Sequence, residues 1–364
     1  MKLAILGTVG VPGRYGGFET LAENLVRQHQ TCGWQAQLTV YCSAPAYPER
    51  APAFLDAKLR YSRLKANGLQ SIFYDAVTLL DCARRGNDVA LLLGVSGAWI
   101  LPFLRLFSRM RIVTNVDGIE WRRGKWKRPA RLFLRFSEWL AVRFSHQVIA
   151  DNDGIADYLR EFYGIDATVI AYGGDHAVAC ADPLPDEARL PKLPKDYALA
   201  LCRIEPENNV AMILEGFAAA GRPLVFVGNW EQSEYGLRLK ELYRETVGIH
   251  LLDPIYEQAI LYQLRAGASV YVHGHSAGGT NPALVEMMHF GAPVIAFDCV
   301  YNRNTTENQA IYFDTAVTLT RIISDRLPRE LGNSLRDIAV RRYSWSQIGC
   351  KYLSVFSDEF TKPP

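Results

Sequence analysis

Residues 273 to 298, HGHSAGGTNPALVEMMHFGAPVIAFD, hold three elements in one short stretch. An apolar, β-branched run from Ala268 to Val272 feeds it, a turn of Gly278, Gly279, Thr280 and Asn281 interrupts it, and Pro282 opens a helix. Backbone N–H groups at a helix start carry the positive end of the helix dipole and receive anions. The turn therefore reads as a phosphate cradle; capping of the helix by Thr280 or Asn281 is the alternative. Glu286 falls in the first or second turn of that helix. A buried carboxylate without a partner is costly, and a pair of ligand hydroxyls, as on a ribose, is a good partner for one.

Upstream, CRIEPENN follows the apolar run Ala198–Cys202. Arg203 thus stands at the carboxyl end of a strand, where a guanidinium suits a phosphate. A second glycine loop, GTVGVPGRYGGFET, follows the first strand. A nicotinamide-binding loop would show G-x-G-x-x-G there and an acid after the second strand. Here the spacing is Gly7, Gly10, Gly13, and the second strand ends in Cys42-Ser43, which argues against a dinucleotide. Gly16 and Gly17 directly precede a helix beginning near Phe18 and are read as a second place for a phosphate, against a plain strand-to-helix turn. His273 and His275 are read as a strand end lining a cleft, with either ring hydrogen-bonded to sugar or backbone. DND at 151–153 matches a metal-binding pattern but precedes a helix, so Asp153 is read as an N-cap and no metal is expected.

The elements that carry these residues alternate along the whole chain. Strands are expected at Leu3–Gly7, Gln37–Tyr41, Val89–Gly94, Arg111–Val116, Val148–Ala150 and Thr168–Ala171, with amphipathic helices at Phe18–His29, Leu69–Arg84 and Pro129–Phe144 between them. After a proline-rich linker, residues 181–196, the alternation resumes at Ala198–Cys202, Leu224–Gly228, His250–Leu252, Ser269–His273 and Val294–Phe297. The pattern implies α/β architecture with two doubly wound domains facing across a cleft, 1–180 and 197–344, and ligands beyond the carboxyl ends of the strands. A last helix within 345–364 has no strand after it and is free to pack back on either domain.

Length and composition fit this division. The chain has 364 residues, 49% hydrophobic and 21% charged, with a net charge of +2. Seven scattered cysteines, none in a C-x-x-C pair, read as reduced thiols of a cytosolic protein. The apolar run near the N-terminus is too short for a signal peptide, and no segment is long enough to span a bilayer.

Taken as a set, GTVGVPGRYGGFETLAENL, VDGIEWRRGKWKR, CRIEPENN, HGHSAGGTNPALVEMM and YNRNTTENQAIYF resemble retaining glycosyltransferases of family 4. Those are GT-B proteins with two Rossmann-like domains, and the subgroup resembled is the bacterial rhamnosyltransferases of capsule and O-antigen assembly. The resemblance implies a nucleotide-sugar donor, dTDP-L-rhamnose, in the C-terminal domain, and a polyprenyl-diphosphate-linked saccharide acceptor in the N-terminal one. No separate cofactor is implied. By position, Arg203 would hold the diphosphate, and the Gly278–Asn281 amides the distal phosphate and sugar hydroxyls. Glu286 would bind the ribose, and Gly16 and Gly17 would border the transferring sugar. Asp117 stands where many relatives have a histidine and would orient the sugar or help deprotonate the acceptor; a turn-forming aspartate is the alternative. Two positions depart from the family. Gly278 replaces the first of its two glutamates, and Asn208 stands on the diphosphate side where a lysine is usual. Arg303 is taken as the compensating cation, and Ile255 and Tyr256, in DPIYEQ, as contacts to the base.

Residues 120–145 carry eight cations against Glu120 and Glu138, with Trp121, Trp126 and Trp139 among them. That composition suits lipid headgroups. Arg14, Tyr15, Trp121, Arg122, Arg123, Lys125, Trp126 and Lys127 are assigned to the acceptor and an anionic membrane surface, placing the protein peripherally on the inner face of the cell membrane. A solvated helix with its apolar face in the core is the alternative. Nucleic acid is not expected, since no recognition motif accompanies the charges. Rival readings are a transferase for another hexose, a sugar-nucleotide epimerase, and an inactive nucleotide-sugar-binding subunit.

Overall fold

The computed structural model describes residues 1–13, 16–116, 118–122, 126–179, 193–325 and 327–357. The chain forms two units, Met1–Tyr172 with Trp345–Pro364, and Gly173–Ser344. In chain order the first holds β1 (Lys2–Leu6), α1 (Gly17–Cys32), β2 (Gln37–Ser43), β3 (Ala53–Phe54), β4 (Ala57–Ser62), α2 (Ser71–Arg84), β5 (Val89–Leu93), α3 (Leu101–Phe107), β6 (Arg111–Val116), α4 (Arg128–Phe144), β7 (Gln147–Ala150), α5 (Asp153–Tyr163) and β8 (Thr168–Val169). The second holds α6 (His176–Ala179), β9 (Ala198–Leu201), α7 (Val210–Ala220), β10 (Leu224–Val227), α8 (Glu234–Tyr243), β11 (Ile249–Leu252), α9 (Gln258–Gly267), β12 (Val270–His273), α10 (Pro282–His289), β13 (Val294–Phe297), α11 (Val300–Thr305), β14 (Ile311–Phe313), α12 (Ala316–Ser324) and α13 (Leu331–Arg342). A final helix, α14 (Trp345–Phe356), belongs to the first unit.

Both units are Rossmann-like. The first sheet runs β3-β4-β2-β1-β5-β6-β7-β8 and the second β11-β10-β9-β12-β13-β14. Every pairing is parallel except the β3–β4 hairpin, which lies at an edge. Strands β5 and β6 are buried along their whole length, as strands of a parallel sheet covered on both faces must be; β5 is an uninterrupted apolar run, whereas β6 also buries Arg111, Thr114 and Asn115. The hairpin and β14 were not expected. Ala57–Ser62 alternates with charged and polar residues, and β14 is three residues long, so neither shows a buried-strand run.

From β4 the chain steps to β5, β6 and β7 in one direction across the sheet, through α2, α3 and α4; α1 carries it from β1 to β2 in the other. Right-handed crossovers then place α2, α3 and α4 on one face and α1 on the opposite face. Helix α14 packs on the α1 side. A Cβ at Gly349 would lie 3.0 Å from Gln28, the Trp34 and Phe356 rings meet edge to face at 6.2 Å, and Asn115 Nδ2 donates to the Tyr352 hydroxyl at 2.7 Å.

Ending the chain after Ser344 would remove Trp345, Ile348, Tyr352, Val355 and Phe356, all buried. At about 2 kcal/mol for each buried side chain, the loss is about 10 kcal/mol, the size of a domain's whole stability. The expected outcome, read by scanning calorimetry, is disappearance of the first unit's unfolding transition while the second unit's remains.

Candidate functional site

A doubly wound sheet opens a crevice where strand order reverses, because the loops on either side leave toward opposite faces. In the second unit that point lies between β9 and β12. The loop after β9 carries Arg203 and Asn208, and the loop after β12 carries Gly274 to Asn281. The two are joined into one piece. Asn208 Nδ2 donates to the Arg203 carbonyl at 2.7 Å, and its Oδ1 meets His275 Nδ1 at 2.7 Å. Asn209 Nδ2 donates to the Gly274 carbonyl at 2.8 Å. The Ser276 amide and hydroxyl both donate to the Glu207 carbonyl, at 3.0 and 2.8 Å. Only glycine fits at 274, where a Cβ would stand 2.1 Å from the Asn208 carbonyl oxygen.

These contacts bear on two of the expected roles. Both ends of the buried Asn208 amide hold the loops, so it positions Arg203 and His275 and is not itself turned to a diphosphate. Both histidines have side-chain partners. His275 pairs with Asn208, and His273 Nδ1 lies 3.3 Å from the Tyr271 hydroxyl. Arg203 is different. Its nearest acid, Glu205, is 3.8 Å away, and the side chain is about one-third exposed, at 36%.

Helix α10 starts at Pro282 with Asn281 as its cap, the Asn281 Oδ1 accepting from the Ala283 amide at 3.0 Å. Thr280 beside it is buried. Glu286 is buried, but not alone. One carboxylate oxygen pairs with the Arg265 guanidinium and the other lies 3.3 Å from His176 Nε2. Burial pushes this carboxyl up, yet Arg265 and His176 outweigh it and hold it below the usual carboxylate range. Neither partner was anticipated. Arg265 reaches Glu286 because α9 and α10 are successive crossovers on one face of the sheet. His176 is brought in by Gly174, which touches the α10 backbone so closely that a Cβ would stand 2.7 Å from Val285. Glycines at 173 and 174 before an Asp-His pair were the only visible sign.

Arg303 is not placed to replace a missing cation. Its Nε and Nη2 donate to Asp298 at 2.6 and 2.8 Å, Nη1 donates to Asn308, and the guanidinium lies 4.3 Å from the Tyr312 ring centroid. Ile255 and Tyr256 follow β11, two strands from β9, so roughly 10 Å separates this loop from the crevice, a span that a nucleoside can bridge.

In the first unit, strand order reverses between β1 and β5. Gly16 caps α1 and Gly17 begins it. Glu19, in the first turn, is buried and accepts from Thr8 Oγ1 at 3.1 Å and the Val9 amide at 2.8 Å. Burial raises its carboxyl above the usual range, with these hydrogen bonds pulling the other way. An acid already beside Gly16 makes this helix start a poor phosphate receptor and better suited to hydroxyls. Asp153 is not a cap; it is the first helical residue of α5, and Asn152 caps it by accepting from the Gly154 amide at 2.9 Å.

The basic stretch is partly turned inward. Trp121 Nε1 donates to Glu138 and Trp126 Nε1 to Glu120, while the Arg122 guanidinium stacks over Trp121 and Tyr158, each at 5.2 Å. Lys127 is exposed. Arg14, Tyr15, Asp117, Arg123 and Lys125 lie outside the described residues.

Comparisons with known proteins bear on the fold. Residues 1–175 match a family model described as a domain of unknown function, DUF1972. No curated protein matches the sequence. Among solved structures, the sucrose-phosphate synthase of Thermosynechococcus elongatus aligns at a TM-score of 0.77 with 17% identity, covering 98% of each chain. HepE of Anabaena, in complex with UDP-glucose, aligns at 0.69 with 15% identity, covering 98% of this chain and 99% of its own. A UDP-N-acetylglucosamine 2-epimerase from Listeria monocytogenes, named as putative, aligns at 0.66 with 12% identity over 100% and 97%. The chain has the GT-B fold, two Rossmann-like α/β domains with parallel sheets.

His273 gives a test of the site's interior. Fully buried, its ring is held down to about 3 from an ordinary 6.5 by loss of solvent. The folded protein therefore keeps the ring neutral where the unfolded chain protonates it, so stability is fully present above pH 6.5 and falls as the pH drops toward 3. The slope is about 1.4 kcal/mol per pH step, or about 2 kcal/mol between pH 7 and pH 5. In urea unfolding at both pH values, His273→Phe is expected to lose about 2 kcal/mol less than the wild type on acidification.

Proposed function

We propose that the protein is a retaining, metal-independent glycosyltransferase. It takes L-rhamnose from dTDP-L-rhamnose and transfers it to a saccharide on a polyprenyl diphosphate, in the cytoplasm at the inner face of the cell membrane, during synthesis of a capsule or O-antigen polysaccharide. The observation that carries the reading is the crevice between β9 and β12. There Arg203 offers a partly exposed guanidinium whose ion pair with Glu205 is long, at 3.8 Å, on a loop locked to the one that leads into α10. The fold supports it, being shared with proteins whose names specify sucrose-phosphate synthesis and a UDP-glucose complex. The choice of rhamnose and of a lipid-linked acceptor rests on the sequence resemblance.

In this reaction the bond from the anomeric carbon to the phosphate oxygen breaks, and the acceptor oxygen bonds to that carbon on the same face. The acceptor proton passes to a phosphate oxygen. Negative charge grows on the diphosphate as the sugar departs, so fixed donors aimed at those oxygens lower the barrier most. Arg203 and the amides of Gly278, Gly279 and Thr280 fill that role. Glu286, kept ionised by Arg265, takes the ribose hydroxyls. No carboxylate nucleophile is required, which accords with Gly278 standing in place of a glutamate. The epimerase reading rests on the same fold; it differs in converting the nucleotide sugar with no acceptor present.

A thermal-shift panel of dTDP, UDP, GDP and dTDP-L-rhamnose tests the reading. A ligand at a hundred times its Kd adds about 2.7 kcal/mol of stability, and dTDP-L-rhamnose is expected to do so. Arg203→Ala should weaken that binding by about tenfold or more, as loss of a charge-assisted contact does. Absence of a shift with every nucleotide, or an unchanged affinity in the variant, would sink it. Glu286→Ala is the poorer probe. It leaves Arg265 buried and unpaired, and is expected to cost about 3–5 kcal/mol of stability whether or not nucleotide is present.

A further inference from the structure

One face of the first unit is covered by helices that do not hide their own apolar residues. Helix α3 exposes Phe103, Leu106 and Phe107, the last two at 78% and 83%. They are spaced i, i+3, i+4, so they form one outward stripe. Helix α4 exposes Leu132, Phe136 and Trp139, with the Phe136 and Trp139 rings stacked at 5.9 Å. Helix α2 exposes Leu69, just before its start, Phe73 and Val77, at i, i+4 and i+8. Because α2, α3 and α4 are crossovers of one hand and one direction, the three stripes share a face of the sheet.

Scattered surface leucines mean little, whereas nine large apolar residues on three adjoining helices exceed what an idle surface shows. Around the α3 and α4 stripes the exposed charges have one sign, whereas α2 carries a partly exposed Asp81 paired with Arg85 and α5 exposes Asp153, Asp157 and Glu161. Helices α3 and α4 expose Arg105, Arg128, Arg135 and Arg143, flanked by Arg109 and Lys127, and the one acid of either helix, Glu138, is buried under Trp121, Tyr158 and Tyr163. Among the described residues no helix is long and apolar enough to cross a membrane. We propose that this face docks on an anionic lipid bilayer, with the apolar stripes at the boundary between headgroups and acyl chains and the arginines at the headgroup phosphates. A second copy of the chain is a poor occupant, since a two-fold pairing of this face would set arginine against arginine.

The inference rests on the proposed function only for its purpose, that of bringing the enzyme to a lipid-linked acceptor. It differs from the sequence expectation in its surface. Helix α4 belongs to the stretch 120–145 already assigned to the membrane, α2 and α3 are added to it, and Trp121, Arg122 and Trp126 are tied to neighbouring side chains.

Flotation of the full chain with vesicles of phosphatidylglycerol and phosphatidylethanolamine, against pure phosphatidylcholine, tests it without nucleotide or acceptor. Docking and donor binding can therefore fail separately. The wild type is expected to float with the anionic vesicles and to be released by high salt. The double variant Leu106→Asp/Phe107→Asp should bind about tenfold more weakly or worse, as should Phe136→Asp. Val247→Asp, at an equally exposed site in the second unit (92%), should float like the wild type. These positions are on the surface, so circular dichroism is expected to be unchanged. Failure of the wild type to float, or flotation of the double variant equal to it, overturns the proposal. So does a dimer in gel filtration that the double variant abolishes in a protein that does not float.

Discussion

A parallel sheet whose strands are laid down from the middle outward must reverse direction once, and the reversal decides almost everything about where this protein can do chemistry. In the second unit it sets the loops after β9 and β12 side by side, where hydrogen bonds join them, with Arg203 on the first. The same rule fixes which helices share a face. It brings Arg265 on α9 to Glu286 on α10, and it gathers the apolar stripes of α2, α3 and α4 on one side of the first sheet. No single side-chain contact has comparable reach. Each of those noted here is a consequence of strand order and crossover hand.

Within that frame, buried polar groups do the fine placement. Asn208, standing where a cation is usual in the family resembled, fastens two loops by their backbone and a histidine ring. Glu286 keeps its charge in a dry interior because Arg265 and His176 face its two oxygens, with Arg265 the larger influence. Glu19 ties the loop after β1 to the helix that follows. These carboxylates and amides have satisfied most of their bonding before any ligand arrives.

Much of this was legible in the sequence, and the reasons for the misses are specific. Apolar runs revealed β5, β12 and β13, since a strand buried on both faces is mostly apolar. The β3–β4 hairpin was hidden by its mixed polar composition, and β14 by its brevity. The glycine turn and Pro282 marked the start of α10 to the residue. What spacing could not supply was the partners. Arg265 and His176 lie far from Glu286 along the chain, and nothing in the local pattern around Arg303 says that Asp298 holds it. In the basic stretch the sum of charges had no direction: the structure turns Trp121 and Trp126 toward carboxylates and aims Trp139 outward.

Helix α14 lies in the first unit although the second unit's residues separate it from the rest, so the second unit is in effect an insertion between β8 and the final helix. During synthesis the α1 side of the first sheet, with Trp34 and Asn115 at the surface that α14 covers, stays open while all of residues 173–344 are made. The domain that begins first is the last to be finished. For well over a hundred residues of translation the nascent chain carries an unsealed apolar flank, and a ribosome stalled short of Trp345 would leave a complete second unit tethered to an unfinished first one.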